Sequence, residues 1–148
     1  MSNYRSIKPI PIQELIPNNQ LLVVNSRRRN GLILYKEYHA EFAGPGSAVG
    51  GIFDQDCKLG LPLGNLSLSP PESAQEEQRA YLIRRQWIRL AKQITENSVP
   101  LKRAQKVIEQ FEGFFDAEII AQVPDEALAL LVGAFPHTVG MARFQLGK

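Results

Sequence analysis

The residues able to do chemistry are few and scattered. Cys57 is the single cysteine, and His39 and His137 are the only histidines. A cysteine–histidine nucleophile pair can be assembled from positions distant in sequence, but no local signature surrounds any of the three. Cys57 lies on an alternation of apolar residues, where a cysteine reads as a small core residue. Two histidines and one cysteine at these spacings do not make a zinc site. Asp54, Asp56 and Gly60 echo a calcium loop, but Lys58 takes the third ligand position, where a cation opposes metal binding, so they read as turn acids. The run Gly44-Pro45-Gly46-Ser47-Ala48-Val49-Gly50-Gly51 invites comparison with a phosphate loop. That chemistry needs Lys-Ser or Lys-Thr opening a helix, and Ile52 and Phe53 follow instead. The run reads as a flexible or tightly turned connector. These residues assign no catalytic group, no cofactor and no metal.

Positive charge is concentrated in two places. Arg27, Arg28 and Arg29 are consecutive, and Arg84, Arg85, Arg89 and Lys92 recur further on. Either set could contact phosphates or an acidic partner; the plainer alternative is a solvated loop tip and a solvated helix face. The net charge of +2 gives no global basic field. A helix-turn-helix would need a recognition helix after the first, and the candidate carries Glu109, Glu112 and three phenylalanines. A nucleic-acid-associated regulator using the arginine clusters therefore stands as the alternative reading. A small enzyme using His39, Cys57 or His137 stands third.

The elements that position these residues divide into two halves. Residues 1–19, with Pro9, Pro11 and Pro17 among Ile10, Ile12, Leu15 and Ile16, read as an extended arm docked by its apolar side chains. Leu21–Val24 and Leu32–Phe42 read as strands. Asn30-Gly31 between them is a hairpin signal, closing either tightly there or through the arginines as a wider loop. Ile52–Asp54 could begin a third strand. Cys57, Leu59, Leu61 and Leu63 alternate through a fourth, in which Pro62 argues for an edge position.

The second half is helical. A long amphipathic helix is read from Ser69 to Asn97, with Ser69 at the N-cap, Pro70 and Pro71 behind it, and Glu72 at capping-box spacing; Ser73 and Glu76 offer a second register. Ala80, Ile83, Trp87, Leu90, Ala91 and Ile94 form its apolar stripe, with Arg84 flanking. A second helix covers 101–112, with Gly113 as a candidate stop. A short third covers 116–122, and a fourth begins at Pro124 and ends at Gly133. The tail from His137 to Lys148 carries no clear pattern.

Strands followed by helices predict an α+β fold, a small antiparallel sheet packed by a helical C-terminal half, in one domain over 1–148 with a docked arm (1–19), a β-rich part (20–68) and a helical part (69–148). No secretory signal and no bilayer-length apolar run is read, and one cysteine suits a reducing compartment, so a cytoplasmic protein is expected. With the chemistry sparse, a binding role for another protein leads. The expected working surface is where the long helix's stripe ends: Arg27, Arg28, Arg29, Tyr35, Tyr38, Phe111, Phe114 and Phe115, with capture in a groove or at a sheet edge.

The stretches EQRAYLIRRQWIRLAKQI (77–94) and EGFFDAEIIAQVPDEALALLVGAFP (112–136), with the strand-then-helix order, resemble the cyanobacterial carboxysome shell-assembly chaperone family CcmS. The resemblance implies a non-catalytic chaperone that captures the exposed tail of a shell protein and delivers it to assembly. It transfers no binding residue to this chain.

Overall fold

The run Gly31–Tyr35 is apolar without alternation because its strand is covered on both faces. In a computed structural model, which describes residues 7–147, Leu32, Ile33 and Leu34 are each fully buried. The strands are β1 (Ile10–Pro11), β2 (Leu22–Val24), β3 (Gly31–Tyr35), β4 (Ala40–Ala43), β5 (Ala48–Val49), β6 (Leu59–Leu63) and β7 (Leu68–Ser69). They form two antiparallel sheets, in the orders β1-β6-β3-β4 and β5-β2-β7. Successive side chains on β3 point to opposite faces. Ile33, paired with Phe42 and Leu61, joins the core built with the helices. Leu32, paired with Ala43, joins a second core with Leu22, Val24 and Val49 of the smaller sheet. The larger sheet is thus the middle layer between the helices and the smaller sheet. The fold is α+β, with strands in the first half and mostly helices in the second.

Several local expectations are corrected. β2 and β3 do not form a hairpin: β2 pairs with β5 and β7, while β3 pairs with β4 and β6. Neither Asn30 nor Gly31 has a positive φ. Gly31 is required for a different reason, because a Cβ there would lie 2.5 Å from the Phe42 ring. Asn30 is a buried clamp, not a turn residue. Its amide donates to the Asn25 and Arg28 carbonyls, both at 2.9 Å, and its oxygen accepts from the Ser67 backbone at 3.0 Å. Of the two readings of the glycine-rich run the tightly turned one holds, with positive φ at Gly46, Gly50 and Gly51. It supplies β5, and all of its residues but Pro45 and Gly51 are buried. Gly51–Asp54 is a 3-10 turn rather than a strand. β6 lies between β1 and β3, yet β1 reaches only Leu59 and Gly60, so at Pro62 the strand has a neighbour on one side alone. Of the arm, residues 1–6 lie outside the described residues. The rest docks through β1, a short helix α1 (Ile12–Leu15) and the buried Ile16.

The long helix, α2, runs Ala74–Thr95 in the second of the two registers. Ser73 Oγ accepts from the Glu76 backbone N–H at 3.1 Å, while Ser69 is spent in β7, paired with Val23. α3 (Pro100–Phe114) starts on its proline and continues through Gly113. α4 (Ala117–Ala121) is capped by Asp116, whose carboxylate accepts from Ile119 N at 2.8 Å. α5 (Asp125–Val132) follows Pro124, and α6 (Pro136–Gln145) is a helix that the sequence pattern did not announce. Two arginines tie this half together by taking up carbonyls left free at helix C-termini. Arg103 donates to Asn97 O at 2.7 Å and to Val132 O and Gly133 O, both at 2.8 Å, joining the ends of α2 and α5. Arg143 is buried on α6, donating to Asp125 Oδ1 at 2.6 Å and to the carbonyls of Ile120 and Val123. Among the described residues no single helix is long and apolar enough to cross a membrane.

The observed cap register gives a direct test. Ser73→Ala should cost about 1 kcal/mol and Ser69→Ala less than about 0.5 kcal/mol, measured by urea unfolding followed by circular dichroism.

Candidate functional site

α2 lies along β4 and the following turn. A Cβ at Gly44 would clash with the Trp87 indole, so the ring rests directly on the backbone there, and Trp87 Nε1 donates to Pro45 O at 3.4 Å. Phe42 projects from β4 into a group of rings, with centroids 5.3 Å from Trp87, 4.9 Å from Phe111, 6.5 Å from Phe114 and 5.9 Å from Phe115. The Trp87 and Phe114 rings are 5.6 Å apart. Aromatic edges meeting faces suit this range. The rings do not fill the space between α2 and α3. An apolar cleft of about 80 Å³ remains, walled by Phe42, Trp87, Leu90, Ile94, Phe111 and Phe114. Leu90 at its mouth is 47% exposed. A dry engineered cavity of about 150 Å³ admits benzene, so this one suits a branched aliphatic side chain.

The predicted surface is brought together in part. The loop carrying Arg27, Arg28 and Arg29 lies across the end of the α2–α3 pair. Gly46 packs between Ser26 and Ile83 of α2, and Gly64 packs between the Arg29 carbonyl and the Phe115 ring. The Asn30 clamp and Asn25 Oδ1, which accepts from Arg27 N at 2.8 Å, hold the loop. Its three side chains are exposed. Arg28 Nη1 donates to Asn65 O at 3.3 Å, and no ion pair among the described residues uses any of the three. Phe111 and Phe114 line the cleft, whereas Phe115 is only 4% exposed and supports the wall from behind. Tyr38 and Tyr35 do not line the cleft. Tyr38, at the β3–β4 turn, borders a depression with Ile88, Lys92 and Leu130 that adjoins the cleft through Phe42, Ala91 and Leu131. The Tyr35 hydroxyl is buried without a hydrogen-bond partner, and burial, with the Glu126 charge, pushes its pKa up to about 12.

The sequence reading missed a buried ionic cluster on the inward face of α2, one turn before Trp87. Arg84, expected beside the stripe on a solvated flank, is fully buried. Its two terminal nitrogens grip Asp54 at 3.0 and 3.1 Å, and they also donate to Glu41 Oε1 at 2.8 Å and Ala48 O at 3.0 Å. Asp54, read as a turn acid, is buried with it and also accepts from Gly50 N at 2.7 Å. Lys36 Nζ bridges Asp54 and Asp56 at 2.9 Å each and Phe53 O at 2.7 Å, so an ammonium occupies the point where these acids converge. Glu41 also meets His39 Nε2 at 3.0 Å. Spacing could have revealed Arg84. Positions 80, 84, 87, 91 and 94 advance in alternating steps of four and three, and the arginine occupies an inward slot.

Burial alone would raise the Asp54 and Glu41 carboxyls, but their hydrogen bonds, to Arg84 and Lys36 for Asp54 and to His39 and Arg84 for Glu41, outweigh it and hold both below their ordinary values of 3.8 and 4.5. Burial likewise opposes the charge on Arg84 and Lys36, and the acids more than compensate. Cys57 lacks this activation. Its Sγ donates to Leu59 O at 3.2 Å, and burial, with the Asp54 charge, pushes the thiol up to about 11, the opposite of what a nucleophile needs. His137 is exposed at the start of α6. Arg85, Arg89 and Lys92 are exposed on the outer side of α2.

Removing the cation from this cluster should strand a buried carboxylate. Arg84→Met is expected to cost about 3–5 kcal/mol in urea unfolding. Acid response should change with it. Carboxyls with depressed folded pKa values contribute stability that is present above their ordinary values of 3.8 and 4.5 and is lost as pH falls through the lower folded values. The wild-type protein should therefore lose stability steeply below about pH 4, and the Arg84→Met protein less so. An equally steep acid limb in both would show that the cluster does not govern it.

Against protein-family models, curated proteins and solved structures the chain finds no match, so the functional reading rests on this geometry.

Proposed function

We propose that this is a non-enzymatic protein-binding chaperone or adaptor that captures a short segment of another protein in the α2–α3 cleft. The observation that carries the reading is the cleft itself. It has apolar walls, one exposed leucine at its mouth, and a size matching one aliphatic side chain. Small pockets of this kind seat the anchor residues that dominate peptide recognition. Groove capture draws more support than addition to a sheet edge. The outer strands β1 and β7 are two residues long and flanked or interrupted by Pro9, Pro11, Pro70 and Pro71, and α2 packs along the other two outer strands, β4 and β5. The resemblance to shell-assembly chaperones adds a specific expectation, that the captured segment is the tail of a carboxysome shell protein in the cytoplasm. The nucleic-acid alternative draws less support, because Arg84 is consumed inside the protein.

Ala91 lines the cleft without being part of the ring cluster, which makes it the place to fill. Ala91→Leu should leave circular dichroism and urea unfolding within about 1 kcal/mol of wild type while lowering partner affinity at least about tenfold. The comparison is crosslinking capture in the cells that make the protein, followed by direct titration of the recovered partner. Undiminished binding by a folded Ala91→Leu protein, or recovery of no partner by wild type, would remove the cleft from consideration.

A further inference from the structure

We infer that the captured segment is acidic on one side of its anchor. It would place an aliphatic residue in the cleft and carry aspartates or glutamates to Arg28 and Arg29. This inference rests on the capture reading above and adds the chemistry of the partner.

The argument is one of charge and direction. The cleft runs along α3 from Val107 to Phe114. At the Phe114 end the arginine loop is close by: Gly64 packs between the Arg29 carbonyl and Phe115, and Gly46 between Ser26 and Ile83, one turn before Trp87. A chain leaving the groove past Phe114 therefore crosses the arginine loop, while on its Phe42, Ala91 and Leu131 side the cleft adjoins the depression bordered by Tyr38 and Lys92. No acid lines the cleft, and its one polar lining residue is the neutral Gln110. Arg27 shares a surface hollow with Glu72 and Glu76, so part of its charge is answered within the protein. Arg28 and Arg29 have no such answer among the described residues. Their loop is fixed by the Asn30 clamp rather than left to move, which lowers the entropic cost of engaging a ligand. Guanidinium groups bind carboxylates in paired, planar contacts, so two adjacent arginines on a held loop suit a short acidic run.

The helix fixes the spacing. Seven residues of α3 between Val107 and Phe114 span about 10 Å at 1.5 Å each, which an extended segment covers in roughly three residues. The acids should sit about three to five residues from the anchor. A nucleic acid strand could use the arginines but has no aliphatic group for the cleft, so the two occupants separate experimentally.

The test is calorimetric titration with synthetic peptides in a Gly/Ser background. Each carries one leucine and, three to five residues to either side of it, three aspartates, three lysines or three serines. An aspartate peptide without leucine and an oligothymidylate serve as comparisons. In one of the two polarities the aspartate–leucine peptide should bind about tenfold more tightly than the serine–leucine peptide and lose that advantage in high salt. Arg28→Glu with Arg29→Glu, both exposed, should leave the fold intact by circular dichroism and transfer the preference to the lysine–leucine peptide. Ala91→Leu should weaken every leucine peptide. Equal binding of the aspartate and serine peptides, unaffected by the double charge reversal, would overturn the acidic partner and leave cleft capture standing. Binding of oligothymidylate or the leucine-free peptide as tightly as the aspartate–leucine peptide, insensitive to Ala91→Leu, would overturn it in favour of a general anion surface. No binding by any peptide would overturn it together with capture of short segments in the cleft.

Discussion

The pairing of Arg84 with Asp54 holds three parts of the chain in one place: the long helix, the outer strand of the larger sheet through Glu41, and the glycine-rich segment through Ala48 and Gly50. Two charges in a dry environment are costly unless each is fully engaged. Asp54 meets this condition with contacts from Arg84, Lys36 and the Gly50 amide. Such a cluster adds little net stability over a well-packed apolar equivalent, but it tolerates few other arrangements. It sets the rotation of α2 about its own axis. With Arg84 turned toward Asp54, Trp87 must face Phe42 and Leu90 must face α3. The cleft is in that sense a consequence of the ionic cluster that precedes it along the same inward face of the helix.

Two arginines work differently in the second half. Arg103 and Arg143 contact mainly carbonyl oxygens at the ends of helices, and so replace water where short helices abut. The helical layer has four helices of fifteen residues or fewer in its last forty-nine positions, α3 to α6, and therefore many chain ends to satisfy. Arg103 and Arg143 are thereby engaged within the protein, whereas the arginines of the 25–30 loop are exposed.

The larger pattern was legible because it rests on periodicity. Apolar steps of three and four gave α2 and α3, start and stop residues at Pro124 and Gly133 gave α5, and alternation gave β6. Errors arose where a local signal had two physical causes. Asn30-Gly31 looks like a turn, yet Gly31 is glycine because of the Phe42 ring across the sheet, a contact between residues eleven apart that no local rule contains. Ser69 and Ser73 both satisfy the rules for a cap, and the choice was made by β7, whose pairing with β2 uses Ser69. Arg84 sat in an inward slot but was set aside for its charge, because its partners lie 30 and 43 positions away. Of the expected working surface, the arginines and Phe111 and Phe114 share one region because the stripe's end was visible in the sequence. Tyr35 and Tyr38 were grouped with them by strand position alone; Tyr38, at the β3–β4 turn, borders the depression next to the cleft rather than the cleft itself.

Trp87 is the chain's only tryptophan, and it forms one wall of the cleft while lying flat against Gly44. The indole is therefore covered by backbone at Gly44 and borders the cleft elsewhere. Any group entering there dries the ring and alters its emission, with no other indole to mask the change. The protein thus carries an intrinsic fluorescent reporter at the place where a ligand would seat, readable without a label.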